Sequence, residues 1–150
     1  MRVYLEDIRS PFNVGAMFRS AESFAVEKLY LSPLCADPRH PRAFRTAMGA
    51  VDIVPWERLS AGLSGNGPAV IEGPFFALET GGIRPEDFDF PQSAVMIAGS
   101  EELGVSPEAL ELADRSLGRL SIPVYGAKGS LNVSVAFGIA LHTWAAALHG

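Results

Sequence analysis

Short apolar runs alternate with stretches of helical periodicity along the whole chain. Val3-Tyr-Leu5 reads as a strand followed by Ser10-Pro11, after which Val14, Met17, Phe18, Ala21 and Ala25 recur at helical spacing. A first helix is therefore predicted from about Asn13 to Ala25. Lys28-Leu-Tyr-Leu31 reads as a second strand ended by Ser32-Pro33, and Val51-Asp-Ile-Val54 as another before Pro55, with a short helix around Arg42 to Met48 between them. Gly62 to Pro68 is rich in glycine and predicts a flexible loop. Phe75-Phe-Ala-Leu78 resumes a buried strand before Gly81-Gly82. Ala94-Val-Met-Ile-Ala98 is apolar on both faces, as a parallel strand covered by helices on each side must be. Ser106-Pro107-Glu108 opens a helix with Ser at the cap and Pro in the first turn. Leu117 to Ile122 is the last predicted strand. The final helix carries Val133, Phe137, Ala140, Leu141, Trp144 and Leu148 on one stripe. This alternation predicts one α/β domain over residues 1–150, with a mainly parallel sheet flanked by helices and no internal repeat.

Composition narrows the class. A chain of 150 residues, 48% hydrophobic and 19% charged, suits a single domain with a real core rather than a disordered segment. The longest nearly unbroken apolar stretch, Val133 to Leu141, is interrupted by Ser134 and falls far below the roughly 18 residues that span a bilayer. Met1-Arg-Val-Tyr-Leu-Glu-Asp turns acidic at once, unlike a signal peptide, so a cytosolic location and no membrane association are expected. Cys35 stands alone and the three histidines lack zinc-site spacing, so neither a disulfide nor a metal is expected.

The net charge of −5 argues against indiscriminate nucleic-acid binding, which depends on many Lys and Arg. The distribution is uneven. Residues 1 to 50 hold seven Lys/Arg against five Asp/Glu, and residues 51 to 150 hold five against twelve. A polyanion would meet the amino-terminal half, where Arg39, Arg42 and Arg45 recur every third residue and could share a helical face, line a loop or simply be solvated.

Three segments carry candidate chemistry. In the first, spacing alone assigns Asn13 to helix capping and Arg19 to solvent. In the second, Gly99-Ser-Glu-Glu-Leu-Gly104 directly follows the core strand, and ligands of open α/β sheets bind beyond the carboxyl ends of strands. Gly99 could admit a ligand to the backbone or merely make a tight turn. Glu101 could accept hydrogen bonds from a sugar, hold an arginine or lie on the surface. In the third, Ile122-Pro-Val-Tyr-Gly-Ala-Lys-Gly-Ser-Leu-Asn132 passes from a strand through glycines into the last helix. Ser130 is a candidate cap there. Capping would leave Asn132 unexplained, since asparagine is a mediocre helix former in a first turn. The order Gly126-Ala-Lys-Gly-Ser130 is wrong for a P-loop, and no G-x-G-x-x-G or G-x-S-x-G is present. Nucleotide-hydrolase, dehydrogenase and serine-hydrolase readings therefore lack their fingerprints.

Taken together, Asn13-Val-Gly-Ala-Met-Phe-Arg19, Ala94-Val-Met-Ile-Ala-Gly99-Ser-Glu101-Glu-Leu-Gly104 and Ile122-Pro-Val through Ser130-Leu-Asn132-Val-Ser-Val-Ala136 resemble the three motifs of the SpoU-type, or TrmH-type, RNA ribose 2′-O-methyltransferases of the SPOUT superfamily. With Thr46-Ala-Met-Gly-Ala50 and Phe76-Ala-Leu78-Glu between them, the resemblance covers nearly the whole chain. It implies a parallel α/β sheet with a carboxyl-terminal trefoil knot, too rare a feature to propose from pattern. It implies S-adenosylmethionine bound in that knot, with Leu78, Gly99, Ile122, Val124, Leu131 and Ala136 at the matching positions. It also implies a homodimer joined through the first and last helices, with Arg19 near the cofactor bound by the partner subunit. The implied reaction is attack of a ribose 2′-oxygen of tRNA or rRNA on the sulfonium methyl group. Arg19 would be central, either relaying the hydroxyl proton or, the more natural role for a guanidinium, gripping the adjacent phosphate. Asn13 and Glu101 would fix its geometry, and Ser130 and Asn132 would position the ribose or Arg19. RNA contact would fall to Arg9, Arg39, Arg42 and Arg45. Beginning almost at its first strand, the chain is expected to lack the amino-terminal RNA-binding extension of many family members. Methylation of a base nitrogen, and a dimeric cofactor- or RNA-binding module without turnover, are the competing readings.

Overall fold

The computed structural model describes residues 1–63 and 71–150. Six strands form one sheet in the order β3-β2-β1-β5-β4-β6, every neighbouring pair parallel: β1 (Arg2–Leu5), β2 (Lys28–Leu31), β3 (Trp56–Arg58), β4 (Phe75–Ile83), β5 (Val95–Ala98) and β6 (Arg119–Leu120). Four α-helices connect or follow them: α1 (Pro11–Ser23), α2 (Pro41–Ala47), α3 (Pro107–Asp114) and α4 (Val133–His149).

Successive side chains of a strand point to opposite faces, and the sheet is covered on both. Val3, Leu5, Leu29, Leu31, Phe76 and Met96 enter the larger core, with Phe18 of α1 and Trp144 of α4. Tyr4, Phe75, Ala77, Val95 and Ile97 face the smaller one, with Ala109 and Ala113 of α3. All four residues of β5 are buried, which explains its uninterrupted apolar run. Trp144 packs edge-on against Phe76 at 5.0 Å between centroids, and its Nε1 donates to the Pro91 carbonyl at 2.8 Å.

Several boundaries differ from those the pattern predicts. Ser10, not Asn13, caps α1: its side chain accepts from the Asn13 N–H, and Pro11 takes the first helical position. Val51 to Val54 is not a strand. Met48 and Gly49 have positive φ, and Asp52, Ile53 and Val54 donate back to Gly49 and Ala50, winding Ala50–Asp52 into a 3₁₀ turn. Pairing with β2 passes instead to Trp56–Arg58, beyond Pro55. The strand begun at Phe75 continues through Gly81-Gly82 to Ile83, and the last strand contracts to Arg119–Leu120. Ser130 does not cap the final helix. Asn132 does, accepting from the N–H groups of Ser134 and Val135, which answers why an asparagine stands at that point. The predicted Gly62 to Pro68 loop lies mostly outside the described residues.

Candidate active site

The carboxyl ends of β4, β5 and β6 lie side by side and carry three irregular segments. The first is internal to β4. Leu78 and Ile83 both pair with Leu120 of β6, so Glu79 to Gly82 bulge out between the two pairings. Glycines permit this: Gly81 has a φ of 76°, and a Cβ on Gly82 would stand 2.5 Å from the Arg119 carbonyl oxygen. The bulge directs Glu79 toward the loop after β5, where its Oε2 accepts from the Val105 N–H at 3.0 Å.

That loop, from Gly99 to Ser106, turns back on itself through a bond from the Gly104 N–H to the Ser100 carbonyl at 2.9 Å. A Cβ on Gly99 would meet the backbone of Gly104 and Val105 at 2.4 Å. The missing side chain thus makes room for the loop's own return, not for a ligand. Glu6, just past β1, accepts from both the N–H and the hydroxyl of Ser106 at 2.6 and 2.8 Å. Burial raises the Glu6 carboxyl above its ordinary value, and the two Ser106 hydrogen bonds oppose the shift. Two carboxylates, from the strands on either side of β5, therefore hold the end of the loop. Glu79 is a residue of the cavity that pattern reading does not single out. Its only sequence signal is a charge closing the apolar run Phe75 to Leu78.

With the segment from Ser121 to Asn132 as the third wall, these loops enclose a cavity of about 360 Å³. Leu78, Gly99, Ile122, Val124, Leu131 and Ala136, the six positions expected to hold a cofactor, all line it. Val124 and Leu131 remain 37% and 40% exposed, an apolar surface that a bound ring would cover. Glu79, Glu101 and Glu102 bring carboxylates to the same space.

The other predicted residues divide. Glu101 and Ser130 line the cavity and are exposed. Asn13 is buried, and the Asn132 amide donates to its Oδ1 at 3.5 Å, joining the first motif to the third within one chain. Within one chain, Asn13 thus meets Asn132. Arg19 is exposed on α1, does not line the cavity, and its guanidinium makes no hydrogen bond or ion pair among the described residues. Arg9 borders a second cavity of about 180 Å³, with Ser10, and this cavity shares Ser100 to Leu103 of the loop after β5 with the first. Arg42 and Arg45 are exposed on α2. Arg39 precedes that helix and is paired with Asp52 at 3.1 Å, which leaves it less charge to offer a phosphate.

A parallel α/β sheet with a ligand-sized cavity beyond its strand ends defines the class of small-molecule-binding α/β domains. Residues 1–142 match the SpoU rRNA Methylase family, and the chain belongs to that family. It is 29% identical over 162 residues to an uncharacterized tRNA/rRNA methyltransferase of Synechocystis, covering 97% of this chain and 55% of that protein. It is 29% identical over 135 residues to a 23S rRNA (uridine(2479)-2′-O)-methyltransferase of Streptomyces viridochromogenes, covering 83% and 45%. Among solved structures, an AdoMet-bound rRNA methyltransferase of Sinorhizobium meliloti superposes with a TM-score of 0.79 at 26% identity, covering 98% of this chain and 56% of that one. The chain thus spans about half the length of these relatives.

Proposed function

We propose that the chain is the methyl-transferring domain of an S-adenosylmethionine-dependent RNA 2′-O-methyltransferase acting in the cytoplasm on tRNA or rRNA. The observation that carries this reading is the single cavity gathering all six expected cofactor positions. The cavity fits the group: apolar side chains from Leu78, Ile122, Val124, Leu131 and Ala136 suit an adenine ring, and the nearby carboxylates suit a cationic ligand. Bound S-adenosylmethionine supplies a methyl group made electrophilic by its sulfonium. A solved AdoMet-bound relative and a relative named for 2′-O-methylation support the chemistry.

In this reading the chain's own residues bind, align and exclude water. The bulge of β4 and the loop after β5, fastened by Glu79 and Glu6, form a preset wall. Asn132 caps α4 and fixes Ser130 and Leu131 at the cavity rim, while its contact with Asn13 ties that rim to α1. Segment 121–132 carries the family's trefoil knot, a threading supported by the position of β6 at the sheet edge and the return of α4 to α1.

The active unit is a homodimer. Phe12 on α1 and Val135 and Ile139 on α4 are 54%, 50% and 40% exposed, and these adjoining helices offer an apolar face for a second copy. Arg19 projects from α1, away from its own cavity, and reaches the partner's site across that interface. There it grips the phosphate beside the target ribose. A guanidinium stays protonated at neutral pH and is a poor base, whereas phosphate binding is its ordinary chemistry.

Labelled methyl transfer to total tRNA and to rRNA separately, followed by nucleoside mapping, tests the proposal. The label is expected on a ribose 2′-oxygen. A methyl on a base, or cofactor binding with no transfer to either RNA, would overturn it. Arg19→Ala is expected to lower kcat at least about 100-fold with the dimer intact. Near-normal turnover would remove Arg19 from the site.

A further inference from the structure

Tyr125 directly follows Val124, a residue of the cavity lining, and is 84% exposed. A ring so open would ordinarily sample several rotamers. This one is anchored: the Arg84 guanidinium donates to its hydroxyl at 2.6 Å, and Arg84 Nε lies 3.4 Å from Glu86 Oε1. Arg84 occupies that position because the bulged β4 runs on to Ile83. The bulge that builds the cavity wall therefore also fixes an aromatic ring next in the chain to its lining. Gly126 follows with open space around its Cα, and exposed Lys128 lies two residues further on.

With an RNA substrate, as proposed above, we infer that Tyr125 is a stacking platform for an unpaired nucleobase of that RNA, next to the nucleotide whose ribose enters the cavity. A looped or single-stranded segment brings a ribose most readily into a recessed site, and its unstacked bases leave their faces open. An immobilised aromatic ring takes up such a face without demanding a particular base, and nearby Arg and Lys charges meet the phosphates.

The test is fluorescence anisotropy of a fluorescein-labelled single-stranded 12-mer of oligoadenylate, with the whole chain and saturating S-adenosylhomocysteine. Tyr125→Ala is expected to weaken RNA binding roughly 5- to 100-fold while leaving S-adenosylhomocysteine affinity and thermal stability unchanged. Tyr125→Phe keeps the ring and loses the Arg84 bond, so its RNA affinity should fall between that of the parent and that of Tyr125→Ala. Unchanged RNA affinity in Tyr125→Ala would overturn the inference. So would an equal loss of S-adenosylhomocysteine affinity, which would make Tyr125 only part of the cavity wall. Tyrosine-dependent oligonucleotide binding without methyl transfer to tRNA or rRNA would uphold the platform and sink the methyltransferase reading instead.

Discussion

At the same end of one sheet, the loops beyond β1 and β2 are closed by their own polar groups, while those beyond β4, β5 and β6 leave a cavity. On the closed side, the Ser32 hydroxyl donates to Asp7 and accepts from the Asp7 N–H, both at 2.8 Å. Arg58 donates to the carbonyls of Ser32, Pro33 and Cys35. The Cys35 thiol is buried there, its ionisation pushed up by desolvation. These groups satisfy one another from within, and the opening they leave among the described residues is the smaller cavity of about 180 Å³ beside Arg9. On the open side, the strand register itself breaks, and apolar side chains stay partly exposed around the space. The two sides share a core. What separates them is whether the loops satisfy themselves or hold one another apart.

The strongest way to break that contrast is to attack the shared core beneath the open side. Trp144→Ala removes a fully buried ring packed on Phe76 and should cost about 3–5 kcal/mol. Denaturant unfolding should show both sides melting in one transition at a lower midpoint. A separate early transition of the cavity side would mean that the two halves fold independently.

Two glycines sharpen the comparison. Gly15 of α1 lies against α2, and a Cβ there would stand 2.3 Å from the Ala43 carbonyl oxygen. Gly15→Ala should therefore destabilise the protein by about 1–3 kcal/mol through overpacking, while titration calorimetry finds cofactor affinity unchanged. Gly99→Ala forces the same clash inside the cavity loop. Cofactor affinity should then fall at least about tenfold, with a smaller loss of stability than Gly15→Ala. If both variants lost affinity equally, the closed side would not be independent of the site.

The smallest expected effect concerns Glu6, which joins the two sides. Burial raises its carboxyl above the ordinary 4.5, so the folded protein holds a proton there that the unfolded chain has already lost. By linkage, its contribution to stability is full below about 4.5 and declines as pH rises through the raised value. Glu6→Gln does not titrate. Its stability relative to the parent should climb over that window and then level off, as urea denaturation across pH would show. A flat difference would mean that Glu6 titrates normally.

Most of the framework was legible because it rests on local rules. The apolar run of β5, the helical stripes of α1 and α4 and the Ser106-Pro107 cap are each decided by residues within one or two turns. The site was legible in part: all six expected cofactor positions line one cavity, but only by resemblance, since spacing left Gly99 and Ser130 equally explained by turns and caps. Glu79, the anchored Tyr125 and the meeting of Asn13 with Asn132 were not legible, because each depends on partners 26 to 119 residues away.

By itself the sequence determined a parallel α/β domain, where most of its elements lie, and one glycine-rich segment before the last helix that carries more polar groups than a turn needs. Only the tertiary structure decided that Trp56–Arg58 rather than Val51 to Val54 pairs with β2, that β4 bulges against one residue of β6, and that Asn132 rather than Ser130 caps α4. Periodicity reports which side of an element faces the core. Strand pairing, bulges and caps depend on which donors and acceptors the folded chain brings within reach.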